Sequence, residues 1–307
     1  MAVIKLVQTR SKLYKMQFLK DNLTAYAFLG PNILGFLTFT LLPVLASLVL
    51  AFAEWDILTA PKFVGFANFW TLLQDKLFWK YFSNTIYFML GIPVGMAVSL
   101  ILALLMNNKL KGIVIFRTVY FLPVVSSMIA VALLWRWIYN PDFGLLNSFL
   151  RWIGIINPPQ WLSSKIWAKP AIMIMWVWKG AGYNMLLYLA ALQGIPQQLY
   201  EAASIDGASA WQRFWHITLP MLGPTNFFIV IMGIIGGFQT FGEIYVMTGG
   251  GPAGSTTTIV YYIYNNAFQW FKMGYASSIA WFLFIIIFIA TLLQWKYAGQ
   301  KVEYSVG

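Results

Sequence analysis

Six stretches of the chain stay apolar for about 20 residues or more with few or no charges, at 25–53, 84–106, 119–139, 170–192, 223–246 and 277–295. A helix rising 1.5 Å per residue needs roughly that length to cross a hydrocarbon layer about 30 Å thick. The runs at 98–105 and 285–290 are apolar on every side, so the alternation of a membrane β-barrel strand is missing and the pattern predicts helices. The expectation is an all-α integral membrane protein with six transmembrane helices in one domain at 25–297, after a basic segment at 1–24 and before a tail at 298–307. Ala51-Phe52-Ala53 at the end of the first run also has the outline of a leader cleavage site. That run, however, exceeds the roughly 7–15 residues of a leader core, and five more follow it.

Charge orients this pattern. Lys5, Arg10, Lys12, Lys15 and Lys20 precede the first run, whereas Glu54 and Asp56 follow it, which places the N-terminus in the cytoplasm by the positive-inside bias. Six crossings return the C-terminus to the same side. Composition agrees with a lipid environment: 60% of residues are hydrophobic and 9% charged, against about one quarter charged in a soluble domain. A net charge of +11 alone would admit nucleic acid or anionic lipid as partners. Placed on the topology it reads mainly as orientation, and nucleic acid is not expected. With no Cys and the single His216, thiolate chemistry, disulfides and imidazole-rich metal sites are excluded, and no metal site is expected. Neither a phosphate-loop GxxxxGK[ST] nor an HExxH motif occurs, so any ATP or metal used must sit in a partner.

The outer loops, near 55–83, 140–169 and 247–276, carry Trp55, Trp70, Trp79, Trp152, Trp161, Trp167 and Trp270, expected as an interfacial aromatic belt with short surface helices. Inside, one loop is long. Residues 193–222 exceed what a turn between antiparallel helices requires. Pro196 suits a first helical turn, with Glu201 near that end where the helix dipole favours a carboxylate. Leu199, Ala202, Ala203, Ile205 and Ala208 form a small apolar surface, Gly207 interrupts, and Trp211, Phe214 and Trp215 lead to Pro220, which should end or kink the second helix. Two short helices with a glycine bend make a knob suited to a socket on another protein, or else an amphipathic segment lying in the headgroups.

Here the sequence resembles a family. Glu201-Ala202-Ala203, Gly207 four residues later, and Ile217-x-Leu219-Pro220 look like the EAA signature of permease subunits of binding-protein-dependent ABC importers. GPNILGF from Gly30, FVGFANF from Phe63, FRTVYFLPVV from Phe116 and VMTGGGPAGST from Val246 resemble the branch that imports oligosaccharides, glycerol phosphate esters and related polyols. The likeness runs from Gly30 to Tyr297. It implies the type I ABC importer permease fold in a bacterial cytoplasmic (inner) membrane. It also implies a non-enzymatic transport subunit whose loop at 193–222 docks on a cytoplasmic ATP-binding subunit through Glu201, Ala202, Ala203, Asp206, Gly207, Ala208, Leu219 and Pro220. The implied partners are a homologous second permease or a second copy of this chain, two ATP-binding subunits that hold ATP and Mg, and an extracytoplasmic solute-binding protein. The chain itself would bind no cofactor.

Substrate groups are sought on the two helices flanking that loop. Trp176, Lys179, Gly180 and Tyr183 recur at i, i+3, i+4 and i+7 and share one face, with Asn184 and Tyr188 beside it. On the fifth run Gly233, Gly236, Gly237, Thr240 and Glu243 do the same, with Gln239 adjacent. Aromatic rings stack on the apolar face of a sugar, and amides and hydroxyls answer its hydroxyls. Lys179 could instead serve a phosphate, such as glycerol 3-phosphate or its diesters, or pair with Glu243, and the glycines could simply let helices pack closely. The run Gly249-Gly250-Gly251-Pro252-Ala253-Gly254 has phosphate-loop glycine spacing, but Ser255 stands where the Lys should be. The resemblance implies a docking loop or outer lid for the binding protein; a plain turn is the alternative. Arg117 is expected as a snorkelling anchor. A secondary transporter would show ion-coupling carboxylates or an inverted repeat, and an intramembrane enzyme a nucleophile or base set; neither is apparent.

Overall fold

The computed structural model describes residues 22–108 and 112–296. Most of the basic segment, Lys109 and Lys111, and the tail from 297 with Lys301 lie outside the described residues. The first helix, α1, spans Asn22–Ala51 and contains a π turn at Leu37–Leu41. Pro43 follows immediately and has no N–H to continue the ladder, which is where such a widened turn relieves the clash. A two-residue hairpin, β1 (Ala53–Glu54) and β2 (Lys62–Phe63), then turns the chain. It leads into α2 (Ala67–Gln74) and α3 (Lys76–Met106). Asp75 caps α3 by accepting from Leu77 N–H.

The run at 119–139 is not one straight helix. It is two helices, α4 (Ile113–Val125) and α5 (Met128–Ile138), bent by 101°. Pro123 lies inside α4, and Ser126 and Ser127 take extended ψ values of 142° and 134°, which ends one helix and starts another in a new direction. After α6 (Leu145–Trp152) comes α7, the 26-residue helix Ala168–Gln193. The knob follows as α8 (Gln197–Ile205) and α9 (Ala210–Met221), and α9 meets α10 (Gly223–Phe238) at a 61° bend. The run at 223–246 is also interrupted, because Gln239–Phe241 separate α10 from α11 (Gly242–Met247). The chain closes with α12 (Ile259–Tyr264, continued by a π turn at Asn265–Gln269) and α13 (Met273–Gln294).

Among the described residues, α1, α3 and α13 are long and apolar enough to cross a membrane, and five spans result if each bent pair counts as one. α7 is long enough but more polar, and it is the centre of the fold. It lies along the second half of α3, against α4, and touches α10 and α11. Three clusters hold the bundle. One, around Tyr139, Trp161, Ile172 and Ile244, binds α5, α7 and α11; here Trp161 is buried rather than in an aromatic belt. A second, around Met185, Tyr188, Leu222 and Ile229, sits where α7 and α10 meet the knob. The third, around Leu72, Phe78, Phe238 and Ile279, ties α13 to α2, α3 and α10.

Candidate functional site

Where α3, the α4–α5 bend, α7 and α10 converge they leave a cavity of about 300 Å³, at the small end of the roughly 300–1,000 Å³ found for ligand pockets. Four residues singled out by helical spacing on α7 line it together, Trp176, Lys179, Gly180 and Tyr183, with Asn184 beside them. Gly91, Gly95 and Gly233 keep the opposing walls low, and Ile92, Ile229 and Met232 make them apolar. Tyr183 is 46% exposed in the single chain, so this aromatic edge is open to a ligand or a facing subunit. Tyr188, one turn on, is core instead: it is buried and its hydroxyl donates to Asn226 Oδ1 at 2.6 Å.

Lys179 does not pair with Glu243. Its ammonium donates to the carbonyl oxygens of Pro123 (3.2 Å), Val124 (3.4 Å) and Ser126 (3.1 Å) at the end of α4. Glu243 is 5% exposed and lies with Phe88, Ile172, Met173, Trp176, Gly237 and Thr240 around a separate void of about 10 Å³. The break at Gln239–Phe241 is the reason: helical spacing on α10 stops at Phe238, so Thr240 and Glu243 do not continue the Gly233 face. Gly236 and Gln239 are exposed, outside the cavity. Arg117 is likewise no snorkelling anchor, since its guanidinium donates to the Met106 carbonyl at the end of α3.

The knob forms as two short helices around Gly207. Gly207 has φ +78°, Ala208 N–H reaches Ala203 O at 2.8 Å and Gly207 N–H reaches Ser204 O at 3.2 Å, which is the paired closure of a Schellman turn. Pro196 stands just before α8, not in its first turn, and Glu201 lies past that turn, so the dipole does not explain it. Ser209 and Gln212 form a capping box that starts α9. As expected for Pro220, α9 ends at Met221, one residue beyond it, and the chain bends by 61° into α10; a π turn at Phe214–Thr218 precedes that end. The two helices are joined by Tyr200 Oη to Thr218 Oγ1 (2.9 Å) and by Arg213 to Ser204 Oγ (2.7 Å). Glu201, Ala202, Asp206 and Gly207 remain exposed, Ala203, Ala208 and Leu219 are half-buried and Pro220 is exposed. Ile205 at 86% and Trp211 at 68% present bare apolar surface.

The glycine loop is held from within. Thr257 Oγ1 donates to Gly250 O (3.0 Å), Thr256 Oγ1 to Gly251 O (2.7 Å), and Thr258 Oγ1 to Thr240 O (2.7 Å). From α3, Asn84 Nδ2 donates to the carbonyls of Gly254 (3.0 Å) and Thr257 (2.9 Å), and Lys80 to that of Ala253 (2.7 Å). The loop is thus a turn braced from within, with Gly249, Gly251 and Pro252 at its rim; Gly250, expected on the docking surface, is buried against Thr257 and Tyr261. Sequence reasoning missed this clamp; three consecutive Thr after the glycines were the available local signal. Nearby, Asp75 Oδ2 accepts from the hydroxyls of Tyr262 (2.6 Å) and Tyr275 (2.7 Å). Burial raises the Asp75 pKa, but these bonds and the amides of Leu77 and Phe78 outweigh it and hold the carboxyl below its usual range.

Residues 91–298 match the family described as binding-protein-dependent transport system inner membrane component. The chain is 39% identical over 291 residues to the probable ABC transporter permease protein YesP of Bacillus subtilis, covering 93% of this chain and 94% of that one. It is also 39% identical to the lactose transport system permease protein LacF of Rhizobium radiobacter, covering 91% and 95%. Among solved structures, a chain of a bacterial alginate ABC transporter in complex with alginate pentasaccharide-bound periplasmic protein superposes with a TM-score of 0.81 at 27% identity, covering 93% of this chain and 97% of that chain.

Proposed function

The chain belongs to the family of binding-protein-dependent transport system inner membrane components, and from that premise we propose that its cavity is where a saccharide, glycoside or related polyol pauses on its way across the membrane. The protein is a permease subunit of an ABC importer and a multi-pass protein of the bacterial cytoplasmic membrane. In the proposed arrangement it crosses six times, with the bent pairs each making one crossing and both termini in the cytoplasm. It pairs with a homologous permease or a second copy and receives its cargo from an extracytoplasmic binding protein over the loop rim at Gly249, Gly251 and Pro252. Two cytoplasmic subunits that bind ATP and Mg grip the two knobs.

One observation carries this reading: the cavity walls run directly into the knob. α7, with Trp176, Tyr183 and Asn184, ends four residues before α8, and α10, with Ile229 and Gly233, begins where α9 ends. A pull on Glu201, Ala202, Ala203 and Gly207 is therefore delivered to both walls, which is what alternating access around a fixed site requires. Within the cavity Trp176 and Tyr183 supply faces for a sugar ring, and Asn184 supplies an amide. Gly236 and Gln239, exposed beyond the cavity, act in passage, while buried Thr240 and Glu243 support Trp176 from behind. Because the Lys179 ammonium is already bonded to three carbonyls, a neutral polyol is favoured over a phosphate ester.

The test is uptake into proteoliposomes by the complete complex, with labelled disaccharides set against glycerol 3-phosphate. Trp176→Ala and Tyr183→Ala are expected to raise the half-saturating concentration of the carried saccharide by about tenfold each. Unchanged uptake in both variants would move the site to the partner subunit, and uptake without ATP would discard the importer mechanism.

A further inference from the structure

The α4–α5 bend leaves carbonyls at the end of α4 without helical partners, in a part of the molecule surrounded by apolar side chains. Such groups cost several kcal/mol each in hydrocarbon if nothing satisfies them. Their partners can be assigned. The Leu122 carbonyl accepts from Ser126 Oγ at 3.1 Å. Those of Pro123, Val124 and Ser126 all accept from Lys179, which comes from α7 across the cavity. A lysine has three N–H donors, and here three carbonyls take them. The ammonium thus stands at the negative end of a helix whose continuation has been turned aside by 101°.

We propose that Lys179 is a positioning residue of the transport cycle: a tethered cation that latches the α4–α5 elbow, and whose hold is loosened when a ligand oxygen in the cavity takes one of its three bonds. The latch and the cavity share residues. Val124, on one arm of the elbow, and Met128, on the other, line the cavity beside Lys179. The longest of the three bonds, 3.4 Å, is the one to the Val124 carbonyl, so it is the one a hydroxyl or other acceptor in the cavity displaces first. The far arm, α5, packs on α11, and Arg136 near its end donates to the Val246 carbonyl just ahead of the glycine loop. A change at the elbow is therefore passed toward the loop end by direct contact. The latch itself does not depend on what is carried; its release by ligand rests on the cavity being the transport site.

Two readouts separate these parts. The chain has no Cys, so Ile115→Cys and Trp137→Cys, at positions 69% and 45% exposed, accept one spin label on each arm of the elbow in the assembled complex. The inter-label distance distribution is expected to be narrow with Lys179, to broaden in Lys179→Ala, to narrow again when methylammonium is added, and to stay narrow in Lys179→Arg. In parallel, Lys179→Ala is expected to reduce the stimulation of ATP hydrolysis by loaded binding protein by about tenfold, a larger change than the one in the half-saturating substrate concentration. An unchanged narrow distribution in Lys179→Ala overturns the latch. A raised half-saturating concentration with an unchanged maximal rate overturns it too, by making Lys179 a plain substrate ligand. If Lys179→Ala does not assemble, Lys179→Gln, which keeps two donors on a shorter side chain, is judged by the same measurements. A native complex that carries no saccharide defeats the transport reading while the labels still decide the latch.

Discussion

Gly207 and Gly250 both hold left-handed backbone, at φ +78° and +82°, one at the tip of the knob and one in the loop after α11. Around Gly207 no atom lies within 4 Å of where a Cβ would stand, whereas at Gly250 a Cβ would meet Thr257 Oγ1 at 2.5 Å and the Tyr261 ring at 3.0 Å. The knob is closed by hydrogen bonds among residues close in sequence, such as Ala208 to Ala203 and Ser209 with Gln212. The loop is closed by Asn84 and Lys80, from some 170 positions earlier. The same backbone device thus serves two purposes: at the knob it frees a surface, and at the loop it fits the chain into the core. Space around the turn, rather than the turn itself, separates a docking element from a structural one.

A bulky side chain at each glycine probes that difference most strongly. Gly207→Trp should leave membrane insertion and assembly of the permease pair intact, because nothing packs at that point, yet abolish the ATP hydrolysis stimulated by loaded binding protein, measured in proteoliposomes. Normal coupling in this variant would remove the knob from the docking surface. Gly250→Ala should act the other way. Left-handed backbone costs an L-residue about 1–2 kcal/mol, the overlap with Thr257 adds to it, and the melting temperature in detergent should fall even without partners. A variant melting like the parent would show that the loop is less fixed than its bonds imply.

Smaller effects sharpen the loop side. Asn84→Ala leaves two loop carbonyls without their donor, a loss of about 1–3 kcal/mol when such groups stay buried; hydrogen exchange at Gly254–Ile259 should accelerate while exchange in α8 and α9 stays unchanged. The smallest effect is acid sensitivity. Since the Asp75 carboxyl sits below its usual range when folded, its bonds to Tyr262 and Tyr275 contribute fully above the unfolded value and are lost as pH falls through the folded one. Asp75→Asn should flatten the acid limb of a stability profile; an unchanged limb would assign it to other carboxylates.

The knob was legible because its signals are local: the alanine spacing, Gly207 and Pro220 all act within one or two turns, whereas the Ser209–Gln212 capping box that starts α9 went unread. The cavity face of α7 was legible because one uninterrupted helix keeps its 3.6-residue period from Trp176 to Tyr183. The elbows were not. Hydropathy stays high through FLPVVSSMIAV, and an apolar run records length, not direction; in GGFQTFGEIYV the polar Gln239, Thr240 and Glu243 read as part of one helical face although they mark the break. Pro123 and the Ser126–Ser127 pair were the only marks of the first bend, and what fixes it, Lys179, arrives from 53 to 56 positions away. Counting the charges left in the membrane suggests a Lys179–Glu243 ion pair, yet Lys179 bonds to backbone carbonyls while Glu243 is buried beside Thr240 and Trp176, so the two charges interact without direct contact.

The bare tip of the knob bears on how the importer is made. Ile205, Trp211 and Leu199 lie exposed on the single chain, and if the proposed ATP-binding subunit covers them, a newly inserted copy without it shows the cell a sticky apolar flag, the kind of surface that recruits chaperones and membrane proteases. Production of this subunit in excess of its partners would then be self-limiting, with surplus copies removed, and the stoichiometry of the complex would be enforced by degradation as much as by matched synthesis.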